Sequence, residues 1–251
     1  MSGVEGRVAL VTGGSRGIGR ATATLLAARG AKVMCVARGL PSNPDEAVEY
    51  TLGDLGTREG CDEVIADTEL RIGPIDILVC NHGIGSAHER VVWEQDPEDW
   101  SESMRVNLDG PFWLSRLVLP GMVNRGYGRA SYTSSTAASV AEHAGSAYNS
   151  SKTGLLGLMR SVATDGGPHG ITANAVLPGW VRTEMAERSA RQEAKDRGIS
   201  PDQVWDERAA LYPPGRVATP KEVAEMIAFL ASEESSGVSG ESIRVALGSV
   251  W

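Results

Sequence analysis

Hydrophobic and polar positions along the chain fall into two alternating rhythms. Short runs of β-branched and aliphatic residues, at about 8–12, 32–37, 49–52, 75–80, 129–134, 171–176 and 242–246, read as strands. Between them lie longer segments with apolar positions at helical spacing, over about 18–29, 58–71, 99–124, 147–165 and 220–231. The 75–80 run is nearly continuous in apolar residues, the pattern of a strand covered on both sheet faces. This alternation predicts an α/β fold, a single-domain doubly wound parallel sheet of Rossmann type with helices on both faces. The length of 251 residues suits one such domain spanning the whole chain. One segment breaks the rhythm. Residues at about 182–214 form a charged insertion carrying Trp205 and Tyr212, expected as a helical lid over a site. A surface helical pair or a subunit contact is the alternative.

Composition narrows the function. With 41% hydrophobic and 22% charged residues the chain reads as an ordinary soluble globular protein. Its net charge of −8 leaves no basic surplus to neutralise phosphates, which argues against a nucleic-acid partner. Cys35, Cys61 and Cys80 form no CxxC pair and have no histidine cluster beside them, so no metal site and no disulfide framework is expected. Residues 1–7 lack a signal-peptide run and no stretch approaches a membrane span, so a cytoplasmic protein without a membrane partner is the default expectation.

The first strand runs into Gly13, Gly14, Ser15, Arg16, Gly17, Ile18 and Gly19. Glycines at that place allow positive φ and close approach of the backbone to a pyrophosphate, and the following helix points free N–H groups at the anion. The second strand ends in Val36, Ala37, Arg38 and Gly39, without the carboxylate that holds ribose hydroxyls in NAD-binding folds. Arg38, with Arg16 nearby, suits a 2′-phosphate, so NADP(H) is favoured and NAD(H) remains possible. The alternative is that Arg38 stacks on adenine and Arg16 pairs with a surface acid.

Tyr148 and Lys152 stand four residues apart on the helix over 147–165 and so share one face. A neighbouring cation favours phenolate, so Lys152 is expected to lower the Tyr148 pKa and fit it for general acid–base work. Ser135, thirteen residues upstream, offers a hydroxyl for a substrate carbonyl and for the oxyanion formed on hydride transfer.

Taken together these residues identify the chain as resembling a short-chain dehydrogenase/reductase, similar to the 3-oxoacyl-carrier-protein-reductase-like ketoreductases and alcohol dehydrogenases. The resemblance covers essentially the whole chain. The family's T-G-x-x-x-G-x-G runs from Thr12 to Gly19, and its catalytic serine, tyrosine and lysine fall on Ser135, Tyr148 and Lys152. It implies that Asn107 is the catalytic asparagine, serving a water-held proton relay to the lysine. It further implies cofactor contacts from Ser15, Ile18, Asp54 (to adenine), Leu55, Asn81, Gly83, Pro178, Gly179, Val181 and Thr183, with Lys152 binding ribose. The implied reaction is hydride transfer between a nicotinamide and a ketone or secondary alcohol. A homotetramer or homodimer through the helices over 99–124 and 147–165 is also implied.

Departures from the family pattern mark open points. Cys80 and His82 replace an asparagine and an alanine of the N-N-A-G motif, and a hydrogen-bonded structural histidine is expected over a cofactor contact at position 82. Ser131 and Tyr132 stand where strand five is usually apolar. The terminal Trp251 has three readings: closing a neighbouring pocket, packing in an interface, or frayed. The expected substrate pocket takes Ala137, Ala138, Val140, His143, Trp180, Met185 and Trp205, a lining that suits a small, largely apolar or aromatic ketone. Glu142 and His143 are further candidates for a polar group. Competing functions are an NAD-dependent secondary alcohol dehydrogenase of a degradative pathway and a non-redox relative on the same fold.

Overall fold

The computed structural model describes residues 3–85 and 90–249; Trp251 lies outside them. Among these residues seven strands form one parallel sheet: β1 (Val8–Thr12), β2 (Lys32–Ala37), β3 (Glu49–Leu52), β4 (Ile77–Cys80), β5 (Gly128–Thr133), β6 (Ile171–Pro178) and β7 (Ser242–Val245). Their spatial order is β3-β2-β1-β4-β5-β6-β7, the doubly wound arrangement in which the winding reverses between β1 and β4.

Successive side chains on a strand point to opposite faces, and the core divides accordingly. Leu10, Met34 and Leu78 face α2 (Arg58–Ile72), α4 (Gly110–Arg125) and α5 (Ser146–Gly166), packing with Val64, Leu114 and Met159. Ala9, Val11, Val33 and Val79 face α1 (Gly17–Ala28) and α8 (Pro220–Leu230), packing with Leu26, Val223 and Ile227. The β4 residues are all buried, as the apolar run requires.

The helix expected over 99–124 is divided. It begins as α3 (Pro97–Met104), capped by Asp96, widens into a π-helical turn over Arg105–Asp109, and resumes as α4. Pro111 has no N–H to return to the carbonyl four residues back, so the α ladder fails at Asn107. Tyr132 is fully buried with its hydroxyl 2.7 Å from Ser115 Oγ on α4, which accounts for a tyrosine in the middle of β5. Nothing in the structure explains Ser131.

Residues 182–214 contain α6 (Glu184–Arg197) and α7 (Pro201–Ala210), capped by Thr183 and Ser200 and joined through Gly198 in the left-handed conformation. The pair has a small core of its own, built from Ala186, Ala190, Ala194, Val204 and Trp205. Among the described residues no helix is long and apolar enough to cross a membrane.

Candidate active site

A cleft of about 1630 Å³ opens at the carboxyl ends of the strands, over the reversal between β1 and β4. Its volume exceeds the several hundred Å³ of a drug-sized pocket, so a dinucleotide and a second molecule fit together. The wall gathers Gly13, Ser15, Arg16, Gly17 and Ile18 from the first turn, Arg38 after β2, and Asp54 and Leu55 after β3. Asn81 and Gly83 follow from β4, then Ser135, Tyr148 and Lys152, and finally Pro178, Gly179, Val181 and Thr183 beyond β6. These residues span the sequence, and the sheet with the helices packed on it brings them together.

The first turn is shaped for an anion. Gly17 has φ +56°, and a Cβ there would stand 3.2 Å from Thr183 Cγ2. A Cβ on Gly19 would overlap the Gly13 carbonyl and lie 2.5 Å from Asn81 Nδ2. No side chain caps α1 and its first turn holds no acid, unlike α2, α3, α6, α7 and α8, each capped by a side chain. The free N–H groups of α1 thus face the cleft, a fit for a pyrophosphate.

The cations around the turn divide. Arg38 is exposed on the cleft rim beside Pro41 and Ser42. Arg16 is committed to an ion pair, its Nη1 lying 3.2 Å from Glu184 Oε2 on α6. That is the acid-paired alternative left open for Arg16, and a second free cation beside Arg38 is not what the structure presents. Asp54 accepts from the Gly56 amide at 3.0 Å and sits 3.5 Å from Arg105 Nη1.

At the other end of the cleft, the Ser135 hydroxyl lies close enough to the Tyr148 phenol to favour its ionised form, and Ser135 Oγ accepts from the Ala137 amide at 3.1 Å. Lys152 is 4% exposed, donates from Nζ to the Thr133 carbonyl at 2.9 Å, and stands 5.8 Å from the Tyr148 ring centroid. Burial pushes the Tyr148 phenol up to about 12, opposed only in part by the Ser135 hydroxyl, with the Glu142 charge raising it further. Burial likewise pushes Lys152 down to about 8. The expectation that Lys152 lowers the Tyr148 pKa is therefore corrected: with the ammonium itself desolvated and turned to Thr133, desolvation of the phenol wins.

Asn107 is fully buried at the π-helical turn. Its Oδ1 accepts from the Ile84 amide at 2.8 Å, and its Nδ2 donates to the Ile84 carbonyl at 3.0 Å and to Ser151 Oγ at 3.1 Å. One side chain thus ties the segment after β4 to α5. A Cβ on Gly83 would meet both Asn107 Oδ1 (3.0 Å) and Lys152 Nζ (3.2 Å), so these two polar atoms flank one point above Gly83.

His82 proves to be hydrogen-bonded within the protein. Its Nδ1 lies 2.7 Å from Thr12 Oγ1, which also accepts from the Asn81 and His82 amides. Burial, then the Lys152 charge, holds its pKa down at about 3, so the ring is neutral at physiological pH. Space for an imidazole comes from Gly110, where a Cβ would lie 2.8 Å from Nε2.

The predicted substrate lining is met in part. Trp180 and Met185 stand in the wall. Ala137 is buried within the short 3₁₀ turn over Thr136–Ala138 and His143 is exposed, and neither lines the cleft. Trp205, 5% exposed, turns into the α6–α7 core and donates from Nε1 to Glu187 Oε2 at 3.2 Å. In their place the wall takes Glu142 and one face of α6, where Met185, Ser189, Gln192 and Asp196 follow at intervals of three or four residues. That spacing was available in the sequence, but the burial of Trp205 hid which helix carries the face.

A family model described as enoyl-(acyl carrier protein) reductase matches residues 13–249. An acetoacetyl-CoA reductase of Shinella zoogloeoides is 36% identical over 243 residues, covering 94% of this chain and 95% of the relative. A 3-oxoacyl-[acyl-carrier-protein] reductase of Vibrio cholerae is 35% identical over 250 residues, covering 96% of each. Among solved structures, levodione reductase superposes with a TM-score of 0.90 at 30% identity over 96% of each chain. The aldohexose dehydrogenase of Thermoplasma acidophilum superposes at 0.89 with 29% identity, covering 97% of this chain and 94% of that one.

Proposed function

The chain belongs to the short-chain dehydrogenase/reductase family, an oxidoreductase family acting on CH–OH groups, and from that premise we propose that it interconverts a small, largely apolar or aromatic ketone and its secondary alcohol with NADP(H). The observation that carries this reading is the grouping of Ser135 and Tyr148 beside the buried Lys152, at the far end of a cleft that begins on the glycine turn. When bound, the nicotinamide cofactor supplies or accepts the hydride. Gly13, Ser15, Gly17, Ile18 and the free amides of α1 would hold its pyrophosphate. Asp54, Leu55, Asn81 and Gly83 would contact the adenosine and ribose, and Pro178, Gly179, Val181 and Thr183 would form the nicotinamide end.

Ser135 orients the substrate oxygen and stabilises the charge that grows on it. Tyr148 delivers the proton to that oxygen. A phenol held near 12 is protonated at neutral pH and so carries the proton that reduction requires. Lys152 carries positive charge below about pH 8 and would bind the ribose, and Asn107, beside it over Gly83, would serve the water relay that refills Tyr148.

Arg38 is the basis for NADP(H) over NAD(H): an exposed guanidinium on the cleft rim, with no carboxylate at the end of β2 to repel a 2′-phosphate. Trp180 and Met185 support an apolar substrate, and α6 with α7 would act as the lid. A second reading draws on the α6 face. From Met185 to Asp196 it borders the cleft for about 16 Å at 1.5 Å per residue, and its Ser189 and Gln192 suit a long, polar-armed substrate such as a 3-oxoacyl thioester. The names of several relatives agree with that chemistry. Family likeness supports a cytoplasmic homotetramer or homodimer. The test is NADPH oxidation against aromatic ketones, aliphatic ketones and acetoacetyl-CoA in parallel. Turnover of the first two alone supports the apolar reading, thioester preference supports the second, and turnover of none refutes both.

A further inference from the structure

Among the described residues three charged side chains are counted as buried: Lys152, Arg129 and Arg208. Lys152 belongs to the active site. Arg129 is spent on backbone carbonyls of Gly128, Gly170 and Ser232. Arg208, on α7 and 6% exposed, is different, because its partners are the wall of the cleft while it is not itself part of that wall.

Its guanidinium carbon lies 3.6 Å from the centroid of the Trp180 ring. Its nitrogens donate to the Ala186 carbonyl at 3.3 Å, to Ser189 Oγ at 3.0 Å and to Glu193 Oε2 at 2.8 Å. Trp180, Ala186, Ser189 and Glu193 all line the cleft. The same stretch of chain also fixes the Trp180 backbone: Tyr212 Oη, two residues past α7, accepts from the Trp180 amide at 2.6 Å, and a Cβ on Gly179 would lie 2.5 Å from that oxygen.

A buried guanidinium is costly unless it is paired and hydrogen-bonded, and Arg208 meets that condition only when Trp180 and α6 are in their present places. We propose that Arg208 is a positioning residue for substrate selection, which holds the Trp180 indole and the α6 face in register and so sets the size of molecule the cleft admits beside Tyr148. The planar guanidinium stacks where a lysine ammonium cannot. The proposal rests on the ketone-reductase reading for its kinetic readout, but the geometry it concerns is readable without turnover.

The test is a double-mutant cycle of Arg208→Met and Trp180→Phe, with Arg208→Lys as the milder variant. KM and kcat are measured for a bulky aryl ketone and a small aliphatic ketone. Removing the stack should raise KM for the bulky ketone about ten- to thirty-fold, the scale of a desolvated cation–π contact. kcat for the small ketone and the NADPH Kd should stay within about two-fold. In the Trp180→Phe background the Arg208→Met effect on KM should shrink markedly. Equal effects in both backgrounds, or equal losses for both ketones, overturn the proposal. The wild-type minus Trp180→Phe emission spectrum reports the indole directly, and it should change when the same subtraction is made with Arg208→Lys. If wild type reduces no ketone, the functional reading fails separately, and an unchanged difference spectrum then sinks the positioning claim as well.

Discussion

Lys152 should destabilise the cofactor-free protein, and its removal should reveal by how much. Burial takes its pKa from 10.5 to about 8, a drop of about 2.5 units. At 1.36 kcal/mol per unit, keeping the ammonium charged inside the folded protein costs about 3 kcal/mol at neutral pH. Methionine at 152 fills much of the same volume without charge but leaves the Thr133 carbonyl without its donor, which returns about 1.5 kcal/mol. Lys152→Met should therefore be more stable by about 2 kcal/mol, a rise of about 4–8 °C in Tm for a chain of this size. The sign of the pH dependence follows from a folded pKa below the unfolded one. The penalty is complete below about pH 8 and is relieved as pH rises from there toward 10.5, because the folded protein then binds fewer protons than the unfolded chain. Thermal melts of both proteins without cofactor, from pH 6.5 to 10, should show a Tm gap that narrows on the alkaline side. A variant less stable than wild type at pH 7, or a gap that does not change with pH, refutes the reasoning.

Other outcomes follow from the same geometry. Arg38→Asp should weaken NADPH binding about 10- to 100-fold, as expected for loss of a charge-assisted phosphate contact plus repulsion, and leave NADH binding nearly unchanged, as read by nicotinamide fluorescence. Gly19→Ala should abolish cofactor binding, because its Cβ overlaps the Gly13 carbonyl; isothermal titration against wild type checks this. Tyr132→Phe should cost about 1 kcal/mol in urea melts, because it removes the Tyr132 partner of Ser115 in the core and leaves the cleft untouched.

Much of the fold was legible because burial and periodicity coincide. The apolar stretch ending at Cys80 became a fully buried strand, and the glycine turn followed β1 as its composition requires. The π-helical turn at Asn107 was not legible, because the lost N–H of Pro111 is a local signal whose outcome depends on what Asn107 bonds to across the site. The Arg16–Glu184 pair joins residues 168 apart, and no local pattern announces it. The Tyr148 pKa was misjudged for a related reason. Sequence spacing places the lysine on the right face, but only distances show that its ammonium turns to Thr133 and that desolvation outweighs it. Trp205 had the composition of a pocket residue and the surroundings of a core residue, and its neighbours on α6 decided the matter.

The most direct test of the account is single-turnover oxidation of bound NADPH by a ketone, compared between wild type and Tyr148→Phe, with NADPH affinity measured on the same samples. The account predicts a loss of at least about 10²-fold in rate, the scale of a lost general acid, with NADPH affinity retained within a few-fold. Turnover by Tyr148→Phe close to wild type, or a wild-type protein that binds NADPH and reduces no ketone or thioester offered, would contradict it.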